Sequence, residues 1–132
     1  FERMGLAILN VVAGGDLNLV REFGKMSVDW LVHQQPTLLA QNDPRESLMR
    51  FQVVRQSFFD YPALEVRRVS DGQASLSIAY QMGAVAEEAA SLQTMGFFER
   101  LLELAGAGTV LAKFETKSWE GAKETILALR WR

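Results

Sequence analysis

Acid–base and metal chemistry rests on a small set of side chains, and this chain holds few of them in useful company. Histidine is the residue type that changes charge near neutrality, and there is one, His33. It falls near the end of an apolar-periodic run, where an imidazolium suits the exposed carbonyls of a helix end. A single histidine also excludes a His-pair metal site. Zero cysteines remove disulfides, thiolate nucleophiles, iron–sulfur clusters and cysteine zinc sites, and leave the redox compartment open. Glu87 and Glu88 stand side by side as a candidate acid and base. Neighbours on a helix point about 100° apart, so their spacing reads as a solvated surface. Ser57, Ser75, Ser77 and Ser91 have neither a nearby histidine nor a G-x-S-x-G turn, which leaves a hydrolytic triad without support. Gly106-Ala107-Gly108 follows a helix and precedes a strand, the reverse of the order that aims helix amides at phosphate, and reads as a helix C-cap. Arg45, Arg50 and Arg55, with Arg67 and Arg68 after them, suit an acidic partner or a lipid headgroup, or else a solvated face mixed with Glu46 and Asp60. No catalytic set converges. The expectation is a protein that is not an enzyme, with no catalytic residues, no metal and no cofactor.

The composition bounds the partners. A chain of 132 residues has room for one core, since two cores of about half that size would be marginal, and a single domain over 1–132 is expected. Hydrophobic residues make up 48% and charged residues 23%, the balance of a packed protein and not of a disordered tail. Fourteen Lys and Arg against 16 Asp and Glu give a net charge of −2, with no uniformly basic surface to displace counterions from a phosphate backbone, so nucleic acid is not an expected partner. No apolar run approaches the roughly 20 residues that span a bilayer. The opening Phe1-Glu2-Arg3 lacks the basic region of a signal peptide. A cytoplasmic setting is expected, and a first residue other than Met reads as a piece trimmed or excised from a longer chain.

Periodicity supplies the elements. Met4, Ala7, Ile8, Val11 and Val12 repeat at helical spacing up to Gly14-Gly15, a first helix. Asp16 stands as the N-cap of a second, whose stripe is Leu19, Phe23, Met26 and Trp30 and which stops before Pro36. Gly24 lies beside that stripe, where a missing side chain lets another helix approach. Asp43 as N-cap, Pro44 at the first helical position and Glu46 closing a capping box start a third helix, with Leu48, Phe51, Val54 and Phe58 buried. Asp60-Tyr61-Pro62 ends it. The period then changes to two: Leu64 and Val66, a turn at Ser70-Asp71-Gly72-Gln73, then Ala74, Leu76, Ile78 and Tyr80 make a hairpin with one wet face. The stretch from Gln81 to Gln93 fits a lid, a loop or an extra helix. From Thr94, Phe97, Phe98, Leu101, Leu102 and Ala105 form an amphipathic helix. Val110, Ala112 and Phe114, the Glu120-Gly121 turn, and Thr125, Leu127, Leu129 and Trp131 form a second hairpin. Two one-sided hairpins need a helical cover, so the fold class is α+β: three N-terminal helices, then hairpin, helix, hairpin, giving a mainly antiparallel four-stranded sheet.

Soft apolar material is abundant, with 8 Phe, 3 Trp, 2 Tyr and 5 Met. Most of it must fill the core. Any surplus has two outlets. One is a pocket for a small apolar ligand where helices meet sheet, lined by Trp30, Phe58, Tyr80, Met95 and Phe98. The other is a homodimer interface on the nearly all-round apolar first helix, at Met4, Ile8, Val11 and Val12.

The run Gly15-Asp16-Leu17-Asn18-Leu19-Val20-Arg21-Glu22-Phe23-Gly24-Lys25, the Asn42-Asp43-Pro44 start and the tail from Gly96 through Gly106-Ala107-Gly108 to Leu129-Arg130-Trp131 resemble an uncharacterised paralogous family of myxobacteria and related deltaproteobacteria. Those motifs are structural and imply no activity. In its order of elements the chain is also similar to the ligand-binding superfamily that groups haem-nitric-oxide domains, vinyl-reductase-type domains and small vesicle-tethering subunits. The haem branch's Tyr-x-Ser-x-Arg motif, which anchors the propionates, falls on Tyr80-Gln81-Met82-Gly83-Ala84, where only the tyrosine survives. The late cysteines frequent in vinyl-reductase-type members are missing altogether. What this resemblance implies is a small sensory or adaptor domain that binds an apolar molecule or another protein, often as a dimer. The expected function is therefore a non-catalytic sensory or protein-interaction domain of a bacterial signalling protein, with an apolar-ligand domain as the alternative.

Overall fold

The computed structural model describes residues 17–58, 64–78 and 83–132. The expected first helix, with Met4, Ile8, Val11 and Val12, lies outside the described residues, as do Asp16 and Tyr80; the backbone of Phe58 is described but its side chain is not. The described chain forms helices α1 (Leu17–Gln34), α2 (Pro44–Phe58) and α3 (Ala84–Leu104) and strands β1 (Leu64–Ser70), β2 (Gln73–Ile78), β3 (Val110–Thr116) and β4 (Thr125–Trp131), with short 3₁₀ turns at Pro36–Leu38 and Ser118–Glu120.

Local chemistry sets most of the boundaries. α1 stops one residue short of the Gln35-Pro36 bond, as expected where a proline cannot continue the hydrogen-bond ladder. At the start of α2 the Glu46 amide donates to Asp43 Oδ1 at 3.0 Å, the N-cap bond that the sequence calls for. The reciprocal half of the expected capping box is replaced: the Glu46 carboxylate turns outward to Arg50 Nε at 3.4 Å. The hairpin turn takes Gly72 at φ 86°, a conformation that costs glycine nothing. α3 starts ten residues before Thr94, at Ala84, so the ambiguous alanine-rich stretch is the first half of one long helix. It ends at Gly106, φ 108°, with the Ala107 amide donating to the Leu102 carbonyl.

The strands pair antiparallel in the order β1-β2-β4-β3, which puts the two hairpins side by side through β2 and β4. Ala74, Leu76 and Ile78 of β2 and Leu127 and Leu129 of β4 are buried on one face. Against them lie Leu48 and Phe51 from α2 and Phe97, Phe98, Leu101 and Leu102 from α3. The three phenylalanines form a closed triangle: Phe51 to Phe98 at 4.9 Å edge-on, Phe51 to Phe97 at 5.3 Å, and Phe97 to Phe98 at 5.3 Å edge-on. Each such pair contributes about 0.5–1.5 kcal/mol beyond area burial.

α1 does not touch the sheet through its bulky stripe. Its buried residues are Val20, Gly24, Val28 and Leu31, one step around from the expected Leu19, Phe23, Met26 and Trp30. The reason is its partner face on α3, made of small residues including Ala89 and Gly96. A Cβ on Gly24 would collide with the backbone carbonyl of Gln93, and a Cβ on Gly96 with the backbone carbonyl of Arg21. The two helices meet backbone to backbone at these glycines. Val20 packs near Ala89 and Asp29 pairs with Arg100, so the helices run in the same sense.

Gly24→Ala should lower unfolding free energy by about 1–3 kcal/mol, the usual cost of forcing a methyl into a filled contact, although alanine is the better helix former. Chemical denaturation measures this. A raised midpoint would mean that the helices do not touch at Gly24.

Candidate functional site

The residues singled out for chemistry fall in separate places. His33 sits exposed in the last turn of α1. Glu87, expected on a solvated surface, is only 3% exposed, whereas Glu88 is half-buried. The difference follows from α3 beginning at Ala84: its first turns are held against α1 and the end of the sheet, and Glu87 lies on the same side as buried Ala86, Ala90 and Ser91. The Ser118 hydroxyl donates to Glu87 Oε1 at 3.1 Å. The Ser118 amide donates to Thr125 Oγ1, and the Thr125 hydroxyl to Ser118 Oγ, both at 3.0 Å. This chain of bonds ties the start of α3 to the turn before β4. Among the described residues this chain of bonds joins a carboxylate to two hydroxyls, an arrangement suited to fixing structure.

The expected pocket does not assemble from the side chains described. Met95 and Phe98 are buried in the core, 4% and 0% exposed, while Trp30 projects from α1 at 65%. The stripe that carries Trp30 is not the face of α1 that packs inward, and Tyr80 and the Phe58 side chain of the expected lining lie outside the described residues. Among the described residues, no group of three His, Asp or Glu is placed to hold a metal ion, and no helix is long and apolar enough to cross a membrane.

Ion pairs instead brace the frame. The Arg21 guanidinium makes a bidentate pair with Glu99, which is nearly buried. That hydrogen bonding holds Arg21 above its ordinary value, against the opposing effect of burial. Asp29 meets Arg100 at 3.1 Å further along the same pair of helices. On the other side of the sheet, Arg67 pairs with both oxygens of Glu124 at 2.7 and 2.9 Å, and the Ser77 hydroxyl donates to Glu124 at 2.7 Å.

Two kinds of surface remain. One is apolar: Leu19, Met26 and Trp30 line α1 at 49%, 66% and 65% exposure, with Phe23 half-buried among them. A smaller apolar pair, Met49 and Val53, lies in a groove of about 600 Å³ on α2, rimmed by Arg45, Glu46, Arg50 and Asp71. Arg45 reaches Asp71 at 3.7 Å and Arg50 reaches Glu46 at 3.4 Å, so these arginines are already matched. The second kind is polar and lies on the face of the sheet turned away from the core. The sequence signal for the first is the stripe spacing, which reads as core; for the second there is only the alternation of the strands.

No protein-family model matches the chain, and no curated protein matches it. Solved structures share its fold. An H-NOX domain from Shewanella oneidensis in the Fe(II)CO state superposes with a TM-score of 0.68 at 10% identity, covering 98% of this chain and 74% of that one. A point mutant of the T. tengcongensis H-NOX gives 0.62 at 13% identity, over 98% of this chain and 70% of that one. A trafficking protein particle complex subunit 3 from Naegleria fowleri, covalently bound to palmitic acid, gives 0.61 at 12% identity, over 99% and 94%. At these identities the likeness is one of fold, and it agrees with the remote resemblance read from the order of elements.

The residues present do not fit a haem. The sole histidine is exposed at the end of α1, there is no cysteine, and among the described residues Phe51, Phe97 and Phe98 pack in mutual contact between α2, α3 and the sheet.

The Ser77 bond first and the Arg67 pair second hold the Glu124 carboxyl below the usual glutamate range. Its contribution to stability is therefore present above the unfolded carboxylate's pKa and is lost as pH falls through the lowered folded value. Carboxyl NMR titration should place Glu124 below an ordinary glutamate, and Ser77→Ala should move it back up. An unshifted midpoint in the wild type would disprove the network.

Proposed function

We propose that this chain is a non-catalytic sensory or protein-interaction domain of a bacterial signalling or regulatory protein, working as a homodimer through helical surfaces. One observation carries the reading: α1 buries its small-residue face and leaves Leu19, Met26 and Trp30 in solvent on one stripe. Trp and Met concentrate at the centres of protein interfaces and are poorly suited to a free surface. A single amphipathic helix offers the self-complementary patch that a two-fold dimer requires. The arginine side chains described on the helices are occupied in bracing pairs, which leaves the apolar stripe as the free helical surface.

Binding of a small apolar molecule is the second reading, and the fold shared with a palmitate-bound trafficking subunit favours it. With no cysteine in the chain, attachment as a thioester is chemically closed, so such a ligand would be held without a thioester link. Native mass spectrometry of purified protein tests this reading: a co-purifying mass of a fatty or aromatic compound supports it, and the bare chain mass alone counts against it.

Sedimentation velocity tests the leading reading. The wild type should run as a dimer at micromolar concentration, and the Met26→Glu/Trp30→Glu double variant as a monomer. The variant's unfolding free energy should stay within about 1 kcal/mol of the wild type, because both residues are exposed. A wild type that stays monomeric at high concentration removes the dimer, and a variant that still dimerises removes α1 as its surface.

A further inference from the structure

The face of the sheet turned away from the core is covered by no helix among the described residues, and it is furnished unevenly. At the bulge in β1 the register slips between Val66 and Arg68. Val66 and Val69 both pack against the core, so the slip turns Arg67 and Arg68 together to the bare face, where strict alternation would send one of them inward. Arg67 is matched by Glu124. Arg68 is not: among the described residues it has no carboxylate and no hydrogen-bond partner, and neither has Arg130.

Those two unmatched arginines face one another across β2. Arg68 is opposite Ser75, and Arg130 is opposite Gln73. Their backbones are two strands and two residues apart, about 10 Å across and about 7 Å along, a span that two long side chains can close from either side. Between them on β2, among the described residues, stand Ser75 and Gln73, with Ser70 opposite Gln73. Arg68, Arg130, Gln73, Ser75 and Ser70 all line one shallow groove of about 540 Å³, whose floor includes Ala128 and whose far end holds the Glu115 carboxylate.

We propose that Arg68 and Arg130, with Gln73 and Ser75 between them, form a clamp for a phosphoryl group on this bare sheet face. Guanidinium forks match the oxygens of a phosphoryl group in pairs. The hydroxyl and the amide supply neutral donors beneath. Small residues on the floor let the group sit close. Glu115 restricts the ligand to one whose charge is concentrated at the Arg68 and Arg130 end. The site goes beyond the dimer reading and is independent of it: the clamp is on the sheet, the dimer stripe on α1. A phosphoryl group reaches it either on a soluble small molecule or as a lipid headgroup, and the chemistry of capture is the same.

Isothermal titration with inorganic pyrophosphate, and co-flotation with vesicles carrying phosphatidic acid against phosphatidylcholine alone, test the proposal on the full chain. Saturable pyrophosphate binding supports a soluble ligand; flotation with phosphatidic acid only, without pyrophosphate binding, supports a headgroup. In either arm Arg68→Ala and Arg130→Ala should each weaken binding about tenfold or more. Arg68→Lys, which keeps the charge without the fork, should fall between. Arg45→Ala removes the same charge from α2 and should change nothing. Circular dichroism melts confirm that each variant is folded, and Arg68→Lys serves if an alanine variant is not. Absence of binding in both arms, or an equal loss in Arg45→Ala, overturns the clamp.

Discussion

The contact between Gly24 and Gly96 governs much of the rest. Where two helices touch through their backbones, no side chain can stand between them, and the faces brought together are Val20, Gly24 and Val28 against Ala89, Gly96 and the backbone of Gln93. Such a contact gains little from any one side chain; it depends on shape over the length of the crossing. It also needs its angle held, and the pairs on either side of it do that. Arg21 grips Glu99, and Arg100, the next residue of α3, grips Asp29 two turns further along α1. Because Glu99 is nearly buried, its two hydrogen bonds from Arg21 compensate a charge that would otherwise oppose folding. The direct consequence is outward. With the small face committed to α3, the large residues of α1 have no place inside, and Leu19, Met26 and Trp30 come to lie in solvent.

On its other side α3 supports the aromatic triangle. Phe97 and Phe98 are consecutive, so they leave the helix about 100° apart, and Phe51 of α2 closes the angle between them. Leu76, Ile78, Leu127 and Leu129 of the two central strands complete the layer. Among the described residues the three rings pack against one another where helices meet sheet. The same frame, filled with phenylalanine, is a rigid support for what its outer surfaces present.

Much of this architecture is legible in the residues alone. The Asp43-Pro44 start, the stop before Pro36, the Gly72 turn and the Gly106 end are each set by a backbone rule that acts within a few residues, and the two hairpins follow from alternation. Gly24 is readable as a point of close approach, because a glycine inside a helix needs a reason. The face of α1 is not readable. Two stripes, one of small and one of large residues, both have helical period, and hydrophobicity alone favours the larger. Only the partner helix, with Ala89 and Gly96 on its contact face, decides between them. Glu87 reads as a surface residue for a related reason: its burial depends on Ser118 and Thr125, which are about thirty residues and more away in sequence and meet it only when the second hairpin folds. Arg130 draws no attention because a charged residue at an alternate strand position is what any wet face shows.

The distribution of charge then separates what holds the fold from what is free to act. The described arginine side chains on the helices are matched to carboxylates: Arg21 to Glu99, Arg45 to Asp71, Arg50 to Glu46, Arg100 to Asp29 and Glu103. Exposed pairs among these contribute little to stability one by one, but each removes an unmatched cation from the helical side of the molecule. Arg67 is treated the same way by Glu124. Arg68 and Arg130 are not, although Glu65 and Glu115 lie on the same sheet and could have been placed to meet them. Since β1 spends a register slip on turning Arg68 outward when a regular strand would hide or pair it, the unmatched charge is a property of the backbone path and not of a chance surface residue. An apolar stripe on one helix and a cationic groove on the opposite side of the sheet are thus two separate surfaces on one closed frame, each able to be occupied without disturbing the other.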